Sequence, residues 1–170
     1  MKVLSLLQPW ASLCVHTDEN GKAFKQIETR SWNTKYRGEL LIHASKKVLK
    51  NKPFTYEMNE HLEAIGIIEE WSNLPYGAII GKVSLVDVYQ FRADLPESYA
   101  PTKTVDGIIE IDKIWEFTSQ ELAFGDYSPN RYGWLLSDPI LFKEPIPCKG
   151  QLSIWNLPNE LESIVNIKLK

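Results

Sequence analysis

Lys25, Glu28, Arg30 and Trp32 are the residues in this sequence best placed to do chemistry. An extended segment over 26–32 sets Gln26, Glu28, Arg30 and Trp32 on one face and Ile27, Thr29 and Ser31 on the other. A tryptophan beside one acceptor and one planar donor fork is a set that holds a flat heterocycle or a splayed base. Glu28 would accept from ring or amino N–H groups, while Arg30 and Lys25 would take carbonyl or phosphate oxygens. If the protein is an enzyme, Lys25 and Glu28 are its catalytic pair, with Lys25 activating water or attacking and Glu28 moving protons. The plain structural alternative is an exposed strand whose charges pair with a neighbouring strand.

Two further clusters belong with this one. His43-Ala44-Ser45-Lys46-Lys47 follows the apolar run Leu40-Leu41-Ile42, so a turn there exposes polar groups at a sheet edge. His43, Ser45 and Lys46 are read as ligand contacts, against the alternative of a hydrogen-bonded structural histidine. Trp10, in Gln8-Pro9-Trp10, adds a second aromatic wall. The segment Phe124 to Trp134 is rich in turn residues, and Tyr132 is read at the rim of the same site, against a loop whose aromatics lean back on the core.

Bulk properties narrow the function. With 170 residues the chain is read as one domain over 1–170, and 44% hydrophobic residues suffice for a packed core. A net charge of −3 argues against extended duplex DNA binding, which needs many phosphate contacts, but leaves room for a local basic site. Cys14 and Cys148 fit no metal or redox spacing and read as reduced thiols, which points to the cytoplasm. Pro9 interrupts the apolar start and no small-residue cleavage site follows, so no signal peptide is read. No apolar run reaches membrane-spanning length. Walker, GxGxxG, GxSxG and HExxH motifs are missing, and His16, His43 and His61 have no zinc spacing, so no cofactor and no metal are expected.

The elements that must position these residues are short. Strands are predicted over Lys2 to Leu6, Gln26 to Trp32, Leu40 to His43, Ala78 to Phe91, Tyr132 to Leu136, Ile140 to Phe142 and Gly150 to Trp155. Helices are predicted from Pro9 to about Val15, from Pro53 to Ile68 and from Glu160 to Ile167, with one helical turn at Ser119 to Leu122. Thr17 to Phe24 and Ala93 to Gly107 read as loops, and Ile108 to Phe117 is ambiguous. Without regular βα alternation, this is an α+β domain with a mostly antiparallel, curled sheet and flanking helices.

Ser5-Leu6-Leu7-Gln8-Pro9-Trp10-Ala11, Lys25-x-x-Glu28-x-Arg30-x-Trp32 and Tyr36-Arg37-Gly38 through Lys46 together resemble the ASCH domain, the activating-signal-cointegrator homology module. Tyr76 to Gly81 and Tyr132-Gly133-Trp134 through Trp155 resemble its later strands. The resemblance implies a PUA-like β-barrel with a cleft for RNA or a modified nucleoside. It places Lys25, Glu28 and Arg30 of the family's GxKxxExR signature at that cleft, with Trp10 and Trp32 nearby, although Ala23 stands where the signature has glycine. A small bacterial relative is similar to an amidohydrolase of acetylated cytidine that uses a Lys, a Thr and a Glu, and here Glu28 occupies the threonine position. The expected function is binding of RNA or a nucleoside-like small molecule. Hydrolysis of an acylated nucleobase and a protein–protein interaction module are the alternatives.

Overall fold

The computed structural model describes residues 1–49, 54–67, 73–91, 103–105, 108–110 and 117–168. In chain order it contains β1 (Lys2–Leu6), α1 (Trp10–Leu13), β2 (Ile27–Arg30), β3 (Gly38–Ala44), α2 (Tyr56–Ala64) and β4 (Ala78–Gln90). Then follow β5 (Lys103–Val105), β6 (Ile108–Glu110), α3 (Ser119–Ala123), β7 (Tyr132–Pro147), β8 (Ile154–Asn156) and α4 (Asn159–Lys168).

Six strands form one sheet in the order β2-β7-β4-β3-β1-β8, and β5 pairs with β6 separately. Within the six, β1 and β3 run parallel and the other neighbours antiparallel. The sheet is therefore mixed. It curls because β4 slips register against β3 once and against β7 three times, and each irregularity bends the strand and increases its twist.

Both faces of the sheet are covered, which explains the unbroken apolar run in β3. Leu40 and Ile42 join Leu4, Leu6, Ile80 and Trp134 beneath α1, which contributes Ala11 and is followed by Cys14 and Val15. Val3, Leu41, Ile79, Phe142, Ile146 and Trp155 pack on the opposite face with Val165 of α4. Alternate residues of β1 and β3 thus enter different cores, as the two-residue period of a strand requires.

Several boundaries differ from those the sequence predicts. The strand expected over Gln26 to Trp32 is only Ile27–Arg30, and Trp32 lies beyond it. The two strands expected over Tyr132 to Phe142 are one, β7, because Asp138 takes a left-handed φ of 49° and the chain continues through it. Of the last strand expected over Gly150 to Trp155, only Ile154 and Trp155 pair, within β8 (Ile154–Asn156), since Ser153 at φ 62° ends the preceding turn. Part of the expected 93–107 loop is strand β5, and much of the rest lies outside the described residues. Thr55 caps helix α2, its hydroxyl accepting from Met58 N at 3.1 Å, and the chain turns away at Gly66, φ 75°.

The register lines up one end of the sheet. Leu6 pairs with Ala44, Ala44 with Ala78 and Ala78 with Pro147. Backbone hydrogen bonds extend that row past the strands: Ser45 N to Leu6 O at 2.7 Å, Gly77 N to Ala44 O at 2.8 Å and Cys148 N to Gly77 O at 3.0 Å. The residues flanking this row are gathered in space although they are far apart in sequence.

Candidate functional site: a basic cleft at the strand ends

At this end of the sheet lies a cleft of about 1050 Å³, walled by the chain leaving β1, by Ser45 to Lys47 after β3, by Tyr76 and Gly77 before β4 and by the turn Cys148 to Ser153. Arg30 reaches it from the end of β2. Its charged side chains are Arg30, Lys46, Lys47 and Lys149, and among the described residues that line it there is no Asp or Glu. In a chain of net charge −3, the cleft is a local concentration of positive charge.

His43 forms part of the floor and is only 2% exposed. Trp155 Nε1 lies 3.1 Å from Ser5 Oγ, Ser5 Oγ 3.2 Å from His43 Nδ1, and His43 Nε2 3.2 Å from the Cys148 carbonyl oxygen. An indole N–H only donates and a carbonyl only accepts, so the chain has one direction. Trp155 donates to Ser5, Ser5 donates to His43 Nδ1, and His43 donates from Nε2 to Cys148. Burial, partly offset by the Cys148 hydrogen bond, holds His43 below the usual imidazole range, in keeping with this neutral tautomer. Gly150 packs on the same ring: a Cβ there would lie 2.7 Å from His43 Nδ1. The turn between β7 and β8 is thereby fixed to the sheet.

The charges of the 25–32 segment have a different setting. Lys25 is 1% exposed, and its ammonium group donates to the Ile27 carbonyl and lies 3.6 Å from Glu121 Oε1. Glu121, from α3, also accepts from Gln26 N at 2.9 Å, from Ile27 N at 3.1 Å and from the Tyr127 hydroxyl at 2.9 Å. Burial first, and then the Glu121 charge, push the Tyr127 hydroxyl far up, so it stays a donor. Burial likewise raises Cys14, with the negative charge of Glu28 adding to it. This is a closed polar hub under β2.

Glu28 and Arg30 sit between the hub and the cleft. Glu28 Oε1 lies 3.1 Å from Arg30 Nε, off the line of the N–H bond, so the contact is one of charge, and Arg30 also donates to Ser5 O at 3.3 Å. Trp32 packs edge-on against Trp134, with ring centres 4.6 Å apart, and Trp134 is the register partner of Glu28. Tyr132 is the partner of Arg30 and packs on the core beneath α1. Trp10 donates to the Phe124 carbonyl at 2.8 Å and packs against Phe54.

Of the residues singled out in the sequence, Arg30, His43, Ser45 and Lys46 therefore meet in the cleft, whereas Trp10, Lys25, Glu28, Trp32 and Tyr132 do not line it. Sequence reasoning missed Ser5, Tyr76, Lys149, Gly150 and Leu152 as cleft residues and Glu121 as the hub. Thr118-x-x-Glu121 was the one available signal for Glu121, because it has the form of a helix capping box. Thr118 does cap the Glu121 N–H at 3.1 Å, but the carboxylate turns to β2 instead. A smaller hollow of about 380 Å³ lies between Gly21 to Ala23 and Ser137 to Pro139. Among the described residues no group of three or more His, Cys, Asp and Glu could hold a metal ion, and no helix is long and apolar enough to cross a membrane.

The curled mixed sheet thus gathers four cationic side chains, Arg30, Lys46, Lys47 and Lys149, around one cleft. The ASCH domain family model matches residues 4–145, and the chain belongs to that family. It is 28% identical over 166 residues to activating signal cointegrator 1 of Homo sapiens and 27% identical to that of Mus musculus. Each match covers 93% of this chain and 22% of the relative, so the chain spans about a fifth of the length of these curated proteins. The crystal structure of a ZmASCH mutant protein from Zymomonas mobilis aligns with 98% of this chain and 96% of its own, at 15% identity and a TM-score of 0.48.

Proposed function

We propose that this ASCH domain binds RNA, with the phosphate backbone lying in the cleft between Lys46, Lys47 and Lys149. The observation that carries the reading is the single sign of charge in that cleft, against a chain that is acidic overall. Lysines on flexible stems suit a run of phosphates, and Arg30, partly neutralised by Glu28, adds a donor fork at one end. Membership of the ASCH family supports the reading, since the family resemblance implies a PUA-like fold, a fold of RNA-binding modules. Two free cysteines accord with a cytoplasmic setting.

A nucleoside alone would engage few of these cations, which favours an oligomer over a modified nucleoside. Hydrolysis of an acylated base would require Lys25 to meet the substrate. Its ammonium group is enclosed by Ile27 O and Glu121, which favours binding over catalysis.

The test is the salt dependence of affinity for a short RNA, read by fluorescence anisotropy. With three lysines and a partly neutralised arginine engaged, log Kobs should fall against log salt with a slope between about −2 and −3, since each single-strand phosphate contact contributes about −0.7. No measurable binding at low salt, or a slope near zero, would contradict the proposal.

A further inference from the structure

We propose that Leu152 is the base-contacting residue of the cleft, held at its rim to lie against the face of an unpaired base. This rests on the RNA-binding reading and assigns what that reading leaves open: how the site distinguishes a single strand from a duplex.

Leu152 is 94% exposed and lines the same cleft as Lys46, Lys47 and Lys149. A single exposed leucine is ordinary. The distinctive feature is how this one is held. On one side, Cys148 N donates to Gly77 O at 3.0 Å, His43 donates to Cys148 O, and Gly150 lies against the imidazole with no room for a side chain. On the other side, Ser153 takes a left-handed φ of 62°, which a serine rarely adopts, and Ile154 is already paired with Leu4. The turn is anchored at both ends, so Leu152 has little freedom to fold back onto the protein. A side chain presented this way loses little entropy when a ligand covers it.

The neighbours identify what would cover it. Lys46, Lys47 and Lys149 would hold phosphates around the tip, and Tyr76 offers a partly buried aromatic wall within the same cleft. Bases in a duplex are stacked and show only their edges, whereas an unpaired base on a phosphate-held strand can turn its flat face to an apolar side chain. The occupant is therefore a single-stranded RNA with a base resting on Leu152.

Anisotropy titrations with a short single-stranded RNA, and with the same strand annealed to its complement, test the assignment on Leu152→Ala and Leu152→Trp. Both variants should keep the wild-type melting temperature, because the side chain is almost wholly exposed. Leu152→Ala should bind the single strand roughly five-fold more weakly and Leu152→Trp several-fold more tightly, from the apolar area and stacking involved. The salt slope should not change, since no charge is removed, and duplex affinity should not respond to either variant. The inference is overturned if both variants bind the single strand like wild type, or if wild type binds strand and duplex equally. It is also overturned if Leu152→Ala loses only binding to phosphatidylserine vesicles, which would make the tip a membrane contact. In each of those cases wild-type RNA binding with the expected salt slope leaves the parent reading standing. A wild type that binds no RNA removes both.

Discussion

Reversing two cleft charges, in the double variant Lys46→Glu/Lys149→Glu, is expected to weaken RNA binding by at least about 100-fold near physiological salt, because each new carboxylate also repels the phosphate it replaces a contact to. Both lysines are exposed and line the cleft from different segments of the chain, so the variant should fold normally. The control is Lys35→Glu/Lys143→Glu, which changes the net charge equally at two exposed lysines outside the cleft. That control should bind within about three-fold of wild type, because exposed charges beyond a Debye length of about 8 Å are largely screened at physiological salt. Equal losses in the two variants would mean that RNA responds to overall charge rather than to this cleft.

Glu121→Ala should give the largest stability loss, about 3–5 kcal/mol, which for a chain of this size lowers Tm by roughly 10 °C. Removal of the carboxylate leaves the Lys25 ammonium buried with one carbonyl partner and strips the Gln26 and Ile27 N–H groups and the Tyr127 hydroxyl of their acceptor. Lys25→Met should cost distinctly less, because the remaining carboxylate keeps its donors. The order of the two melting temperatures is the decisive reading. If Glu121→Ala melts within about 2 °C of wild type, or above Lys25→Met, the hub does not stabilise β2 as described.

These two predictions fall on residues with opposite visibility in the sequence. Lys46 stands out because a polar run follows the apolar Leu40-Leu41-Ile42, and the end of that apolar run alone places it near a strand end. Lys149 has the look of one more surface lysine. Its role depends on the register of four strands, Leu6 to Ala44 to Ala78 to Pro147, and no local pattern encodes that long-range pairing. Strand β1 and helix α3 were legible because their signals are local: a short apolar run, and a Ser119-Gln120-Glu121-Leu122 stretch that fits one helical turn. The length of β7 was not, because Ser137-Asp138-Pro139 has the composition of a turn while the backbone carries the strand through it.

The charged face of 25–32 shows the same limit. Its alternation is readable, and Glu28 and Arg30 do project beside Trp134 and Tyr132 of the neighbouring strand. The sequence could not show that Glu121, 96 residues beyond Lys25, closes over that lysine from another element. Nor could it show that Arg30 alone of this group would reach the cleft, because Arg30 pairs with Tyr132 at the far end of β7 and meets Ser5 of β1 only through the curl of the sheet.

Where the RNA lies is the central claim, and amide chemical-shift mapping during titration with a short single-stranded RNA tests it most directly. The largest shifts should fall on Ser5 to Leu7, His43 to Lys47, Tyr76 to Gly77 and Cys148 to Ser153, in one cluster around the strand ends. Shifts centred instead on the hollow between Lys22 and Asp138, or scattered without a cluster, would contradict the assignment of the cleft.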